Sequence, residues 1–267
     1  MVTGKNIRLE RLTKNGKMIC IPMDHGVTIG PVKGLTDMDD MIKKVHKGGA
    51  TAALVHKGII KSLKEPPKIG LIMHLSASTN LCLTLNRKMK IGFVEEAVRL
   101  GADAASIHVN IGCNEEPEML EVLGSIANDC DILDMPLMAM MYPRGENIKD
   151  PNDPSTIAHV ARIGAELGAD IIKTIYTGDQ DSFKTVIEGC PVPIVIAGGP
   201  KCETSRDVLE MAYGSINAGA IGVAFGRNIF QHDHPEAIVR ALDMIIMQGK
   251  SIEEALEVLK YGSRNNG

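Results

Sequence analysis

The 267-residue sequence predicts an α/β fold: one single-domain (β/α)8 (TIM) barrel spanning residues 1–267. Three observations lead there. Eight short aliphatic runs alternate with amphipathic stretches along the whole chain. Each run is apolar throughout rather than every second residue, the pattern of parallel strands buried on both faces. And eight such units fill about 250 residues, the usual size of a closed barrel. The alternative, an open doubly wound sheet, would place a glycine-rich dinucleotide turn after its first strand. The sequence there, MDHGVTIGP (23–31), contains no G-x-G-x-x-G.

MICIPM (18–23) opens the sheet, followed by an amphipathic stretch over Asp37–Gly48 that exits through GGA (48–50). TAALV (51–55) and IGLIMHL (69–75) are the next runs. The third unit is the least regular, and Thr79–Met89 is expected to be loop rather than helix. A helix over Ile91–Leu100 leads through LGAD (100–103) into DAASIHV (103–109). Pro117–Asp129 is helical and PLMAMMY (136–142) a strand. Arg144–Pro154, rich in Pro, Asn and Asp, is a long loop. Pro154–Leu167 exits through a second LGAD (167–170) into DIIKTIY (170–176). Gln180–Glu188, PIVIAG (193–198), Thr204–Ala218, NAGA (217–220) and AIGVAFG (220–226) complete the pattern. The glycines at these exits supply left-handed helix caps. A closing helix pair, His234–Met247 and Ile252–Lys260, precedes a frayed RNNG tail (264–267).

Composition excludes several classes. With 44% hydrophobic and 23% charged residues, the chain is globular, and a net charge of −4 gives no basic surplus for nucleic acid or an anionic membrane. No apolar run approaches the roughly 18 residues that span a bilayer, and the first residues lack a signal peptide's apolar stretch. The six cysteines are scattered without a C-x-x-C pair, which reads as reduced and cytoplasmic. There is no Trp, while 15 Met residues are available to fill gaps in the core.

Barrel chemistry sits at the C-terminal ends of the strands. Polar residues collect there: Asp24 and His25; His56 and Lys57; His74; His108 and Asn110; Tyr142 and Arg144; Lys173 and Tyr176; Gly198, Gly199 and Lys201; Gly226 and Arg227. Lys173 interrupts an apolar run, and a buried lysine is either paired or functional. Burial would favour the neutral amine that attacks carbonyls; an ion pair with Asp24 across the barrel is the structural alternative. Tyr142 reads as a proton donor or a core tyrosine, and Asp24 as a proton acceptor, a hydroxyl ligand or a turn residue. IAGGPK (196–201) and FGRN (225–228) offer backbone N–H groups and cations where this fold often holds phosphate, with two ordinary turns as the alternative. The four strand-end histidines share no metal-ligand spacing, so no metal is expected. His232 and His234 read as surface.

Taken in order, MDHGVTIGP (23–31), LVHKG (54–58), MMYPRG (140–145), DIIKTIYTGD (170–179), IAGGPK (196–201) and GVAFGRNIFQ (222–231) resemble the archaeal-type class I aldolase family from about Asn6 to the last helix. The resemblance implies a Schiff base on Lys173, with Tyr142 as proton donor and Asp24 as proton acceptor. It implies a sugar phosphate held by Asp24, His25, Gly26, Val27, Thr28, Tyr142, Pro143, Arg144, Gly198, Gly199, Gly226 and Arg227. It implies no cofactor and a homo-oligomer, a decamer of stacked pentamers being one form. SIHVNIG (106–112) and PMDHGVTIGPVKGL (22–35) resemble a biosynthetic subgroup that joins a keto-sugar phosphate fragment to an amino aldehyde. Fructose-bisphosphate aldolases of the family carry a Trp shortly before Tyr-Pro-Arg-Gly; this chain reads MMYPRG and has no Trp. Glycolytic cleavage and a non-catalytic sugar-phosphate barrel are the alternatives.

Overall fold

A computed structural model describes residues 2–262. Its elements run α1 (Gly4–Leu12), β1 (Met18–Pro22), α2 (His25–Ile29), α3 (Met38–Gly48), β2 (Ala52–Val55), α4 (Lys57–Ser62), β3 (Gly70–His74), β4 (Ser76–Ala77), β5 (Met89–Lys90), α5 (Val94–Arg99), β6 (Ala104–Ile111), α6 (Glu116–Ile132), β7 (Leu137–Pro143), α7 (Pro154–Glu166), β8 (Ile171–Ile175), α8 (Gln180–Gly189), β9 (Ile194–Ala197), α9 (Ser205–Ala218), β10 (Gly222–Ala224), α10 (Arg227–Phe230), α11 (Pro235–Ile246) and α12 (Ile252–Gly262). Eight strands close a parallel barrel in the order β1-β10-β9-β8-β7-β6-β3-β2, and β4 and β5 form a separate two-stranded antiparallel sheet. All eight expected runs are barrel strands.

The continuous apolar runs are explained by two cores. One set of strand residues, including Met18, Cys20, Leu54, Ile72, Met138, Met140, Ile171 and Val195, fills the barrel interior. Their neighbours in sequence, among them Ile19, Ile21, Val55, Met73, Ala139 and Ile172, pack outward against the helices. Side chains alternate along a strand, so a strand with both faces covered must be apolar at every position. On β8, Ile171 points inward and Ile172 outward; Lys173 therefore points inward.

The glycine exits behave as expected: Gly49 (φ 105°) and Gly219 (φ 114°) are left-handed caps of α3 and α9. The segment 79–88 is indeed loop, and Met89–Lys90 returns to pair with Ser76–Ala77. The structure adds short helices that periodicity cannot show: α2, α4 and α10, each of six residues or fewer. It also adds α1, whose Leu12 is fully buried in the interior cluster and plugs the barrel's N-terminal end. The expected frayed tail, residues 264–267, lies outside the described residues.

Candidate active site

Lys173 is the centre. Met140 on β7 and Val195 on β9 are its partners in register. Its side chain is only 6% exposed, and its Nζ lies 3.9 Å from Met140 Sδ. No carboxylate lies within ion-pair distance of it among the described residues. The ion pair with Asp24 that the sequence left open does not form.

Asp24 follows β1. Its Oδ1 is 3.4 Å from His25 Nδ1, and its Oδ2 is 3.9 Å from His74 Nε2. Burial alone would push this carboxyl up. His74, His25, Lys173 and His56 outweigh it and hold Asp24 at about 2. The group is a carboxylate throughout the physiological range. His74 is buried between Ser106 Oγ, 2.7 Å from its Nδ1, and Ser76 Oγ, 3.3 Å from its Nε2. Burial pushes its pKa down to about 3 against the pull of Asp24. His25 and His56 are also lowered, chiefly by burial. Burial thus favours the neutral form of each of the three histidines, against the pull of Asp24. Among the described residues no three His, Cys, Asp or Glu side chains converge to hold a metal.

Tyr142, near the end of β7, is 5% exposed. The His108 ring meets it edge-on at 4.9 Å, and the Arg144 guanidinium lies 4.5 Å over its face. His108 is fixed by Asn110 Oδ1 (2.8 Å), and Asn110 in turn donates to Asn86 O (2.7 Å). Burial holds His108 well below the usual imidazole range.

The opposite wall is the β9–β10 turn pair. Arg227 Nη2 donates to Gly199 O (2.9 Å), and the buried Asn228 donates to Gly198 O (2.8 Å) and accepts from Cys202 N (2.7 Å). Asn228 ties the two turns into one unit. Gly226 lets them approach β1, since a Cβ there would stand 2.6 Å from His25 Cε1 and 2.9 Å from Pro22 O.

These groups enclose a cavity of about 310 Å³ at the C-terminal end of the strands. Lys88, Arg144, Lys173 and Arg227 line it, with Asp24 as its only carboxylate among the described residues. A larger cleft of about 710 Å³ lies at the other end, beside Arg11 and Asp103, and gathers no such set.

Most of the residues singled out from sequence converge here: Asp24, His25, Thr28, Tyr142, Arg144, Lys173, Gly198, Gly199, Gly226 and Arg227. Others do not. Gly26 and Val27 are exposed on α2, outside the cavity lining, and Pro143 lines an adjoining cleft. Lys201 reaches away to Gln231 O (3.3 Å). Lys57 leaves the ring to pair with Glu96 at 3.0 Å. His232 is half-buried rather than surface, bonded to Ser205 Oγ and His234 N. Asn80 and Lys88 line the cavity but escaped sequence reading, because both sit in the one irregular stretch.

A barrel of this topology with a solitary buried lysine facing a tyrosine and a carboxylate defines an aldolase-type enzyme. Comparison with known proteins agrees: the model of the DeoC/LacD family of aldolases matches residues 18–232, and the chain belongs to that family. It is 44% identical to 2-amino-3,7-dideoxy-D-threo-hept-6-ulosonate synthase 1 of Archaeoglobus fulgidus and 40% identical to the synthase of the same name of Halobacterium salinarum, each match covering 95% of both chains. Among solved structures it is similar to a Schiff base-forming fructose-1,6-bisphosphate aldolase, with a TM-score of 0.85 and 31% identity over 91% of this chain and all of the other.

Proposed function

We propose that the protein is a 2-amino-3,7-dideoxy-D-threo-hept-6-ulosonate synthase, a transferase of the alternative route to 3-dehydroquinate and the aromatic amino acids. Its donor is 6-deoxy-5-ketofructose 1-phosphate and its acceptor L-aspartate semialdehyde. One observation carries the chemistry: Lys173 is buried in the cavity with no carboxylate to neutralise it, opposite Asp24 and Tyr142. The choice of substrates follows the two synthases, which are more similar to this chain than the bisphosphate aldolase is.

The roles follow from charge and position. The Lys173 amine adds to the donor ketone beside the methyl group, and loss of water gives an iminium. The iminium draws electrons from the adjacent carbon–carbon bond. As that bond breaks, Asp24 accepts the proton of the hydroxyl on the departing carbon. A phosphorylated aldehyde leaves, and an enamine remains on Lys173. The enamine carbon then attacks the aldehyde of L-aspartate semialdehyde, and Tyr142 protonates the new alkoxide. Water hydrolyses the iminium, freeing the product and Lys173. The protonated imine is the electron sink, so this reading uses neither metal nor organic cofactor. Asp24, His25, Thr28, Tyr142, Arg144, Gly198, Gly199, Gly226 and Arg227 form the donor's binding frame. The Arg227 turn takes the phosphate, whose binding energy positions the distant carbonyl.

The same reading makes the enzyme a cytoplasmic homo-oligomer, a decamer of stacked pentamers. Leu81, Leu83, Leu85, Met89 and Phe93 stand exposed along one segment, which supports burial against another copy; sedimentation velocity tests this. No helix among the described residues is long and apolar enough to cross a membrane.

Mass spectrometry of the products tests the function. The donor is supplied with and without L-aspartate semialdehyde, in the presence of a chelator. An aminoheptulosonate that needs both substrates and survives the chelator is expected. Its absence, with rapid cleavage of fructose 1,6-bisphosphate, would move the enzyme to glycolytic chemistry.

A further inference from the structure

We propose that His108 is a further substrate-contacting residue: its free Nδ1 accepts a hydrogen bond from the hydroxyl that stays beside the imine on the Lys173-bound fragment. The proposal rests on the synthase reading above.

The strand register puts His108 level with the lysine. His108 is paired with Met140, and Met140 with Lys173, so the three form one row across β6, β7 and β8. Ile107 and Val109 pack outward against the helices. His108, between them, therefore points inward, as Met140 and Lys173 do. It lines the active-site cavity at the depth of the reacting amine. Two residues further along the strands, Asn110 is paired with Tyr142.

The surroundings fix which ring nitrogen carries the hydrogen. Asn86 O can only accept, so the 2.7 Å bond to it is donated by Asn110 Nδ2. The other end of that amide, Asn110 Oδ1, can also only accept, and it lies 2.8 Å from His108 Nε2. Nε2 therefore carries the hydrogen. Burial, with Lys88 and Arg144 nearby, keeps the ring neutral, which leaves Nδ1 a bare acceptor. Nδ1 has no hydrogen-bond partner among the described residues, yet it is not sealed from solvent as Nδ1 of His25 and His56 are. The residue is otherwise held: His108 N donates to Ser76 Oγ (3.0 Å), and its ring meets Tyr142 edge-on. A fixed acceptor open to the cavity, with no donor from the protein, is placed for a donor on the substrate.

The reaction leaves one hydroxyl to be matched. Lys173 takes the ketone, Asp24 the proton of the reacting hydroxyl, and the Arg227 turn the phosphate. The carbon between the imine and the breaking bond carries a second hydroxyl, which neither leaves nor reacts. It keeps its proton through cleavage and addition, so a neutral acceptor suits it. It also stays on the fragment that Lys173 holds, at the level where His108 stands. Holding it fixes the geometry of the enamine before the acceptor aldehyde arrives.

The test uses the full-length enzyme, His108→Phe and His108→Gln, with the donor and two small ketones, hydroxyacetone and acetone. Both ketones carry the methyl ketone that Lys173 attacks; only hydroxyacetone carries the neighbouring hydroxyl. Borohydride reduces the iminium to a stable amine, and the trapped fraction is read by mass against ketone concentration. Wild type is expected to form a Lys173 adduct with the donor and with hydroxyacetone. Absence of both would overturn the synthase reading and this proposal with it; a donor adduct without a hydroxyacetone adduct would overturn this proposal alone. His108→Phe, which keeps a ring against Tyr142, is expected to need about three- to tenfold more hydroxyacetone for half-trapping, the scale of one hydrogen bond, and no more acetone. His108→Gln, which restores an acceptor oxygen, is expected to recover most of that loss. Unchanged half-trapping of hydroxyacetone by His108→Phe would overturn the contact. So would an equal loss with acetone, which would make His108 a support for Lys173 or Tyr142 and not a ligand of the substrate.

Discussion

The two ends of the barrel use the same charged residue types in opposite ways. At the N-terminal end two carboxylates beside the strand starts, Asp103 and Asp170, both have cationic partners. Asp103 accepts from Leu71 N (2.9 Å) and meets Arg11 at 3.1 Å. Asp170 accepts from Leu137 N (2.8 Å) and meets Lys5 at 3.0 Å. Thr51 does the same without charge, its Oγ1 accepting from Ile19 N at 3.0 Å. Each accepts from an N–H at the start of a neighbouring strand, the first of β7 and the second of β3 and β1. At the C-terminal end four basic side chains line the cavity with one carboxylate, and among the described residues none of the four is in an ion pair. Buried charge needs compensation. Where the protein supplies it, the residue holds the fold; where it does not, the substrate must. Pairing, rather than residue type, separates scaffold from site.

The sharpest break of that comparison is Lys173→Ala. Turnover should fall by at least about a thousandfold, since the covalent intermediate cannot form, and the borohydride adduct should vanish. The thermal midpoint should hold, because a buried polar group that makes no ion pair is removed. A variant with normal turnover would end the Schiff-base reading. Next in size is Tyr142→Phe, expected to lower kcat by about 10²–10⁴, the range for a general acid, while the adduct with donor still forms. Loss of the adduct would instead give Tyr142 a role in imine formation. Arg227→Ala is expected to raise the donor KM about tenfold with a smaller change in kcat. Lys201→Ala, on the neighbouring turn after β9 and bonded outward to Gln231 O, should leave it alone. Equal effects would show that the phosphate reaches beyond the cavity described.

The contrast also predicts a pH response. His74 is neutral when folded, with its pKa at about 3 rather than 6.5. The unfolded chain takes up the proton first, so this contribution is complete above pH 6.5 and shrinks as pH falls toward 3. Between pH 6.5 and 5 the loss is about 2 kcal/mol from His74 alone. Denaturant titrations at those two pH values check it. A stability that is flat or rises on acidification would mean that Asp24 keeps His74 charged.

The barrel and most of the site were legible in the sequence because strands buried on both faces announce themselves, and because the pleat then fixes what points inward. Lys173 was legible as the one charge in the interior of such a run. Lys88 and Asn80 were not, since an irregular loop has no period from which to infer direction. Gly26 and Val27 entered through the family resemblance, and on α2 they stand exposed outside the cavity lining. Lys201 was read as a phosphate cation from its place in IAGGPK; the direction of its side chain is set by Gln231, thirty residues away. The role of the two LGAD segments was half legible. Their glycines read as helix exits, while the hydrogen bonds made by Asp103 and Asp170 link strands over thirty residues apart and no local pattern reveals them.

The smallest effects belong to the N-terminal end, and there two substitutions at one residue separate its two bonds. Asp103→Ala removes the acceptor from Leu71 N and leaves that buried donor unsatisfied, at about 1–3 kcal/mol. Asp103→Asn keeps an oxygen for Leu71 N and loses only the charge facing Arg11, whose side chain is 63% exposed. A half-exposed pair of this kind contributes about 0–1 kcal/mol. Urea unfolding should therefore rank wild type and Asp103→Asn close together, with Asp103→Ala clearly below. Acceptor and donor kinetics should be unchanged in both, since the cavity lies at the other end of the strands. If instead Asp103→Asn lost as much stability as Asp103→Ala, charge pairing would hold this end together; if either slowed catalysis, the two ends would not be separable in function, and the division between compensated and uncompensated charge would fail as a guide to which residues do the chemistry.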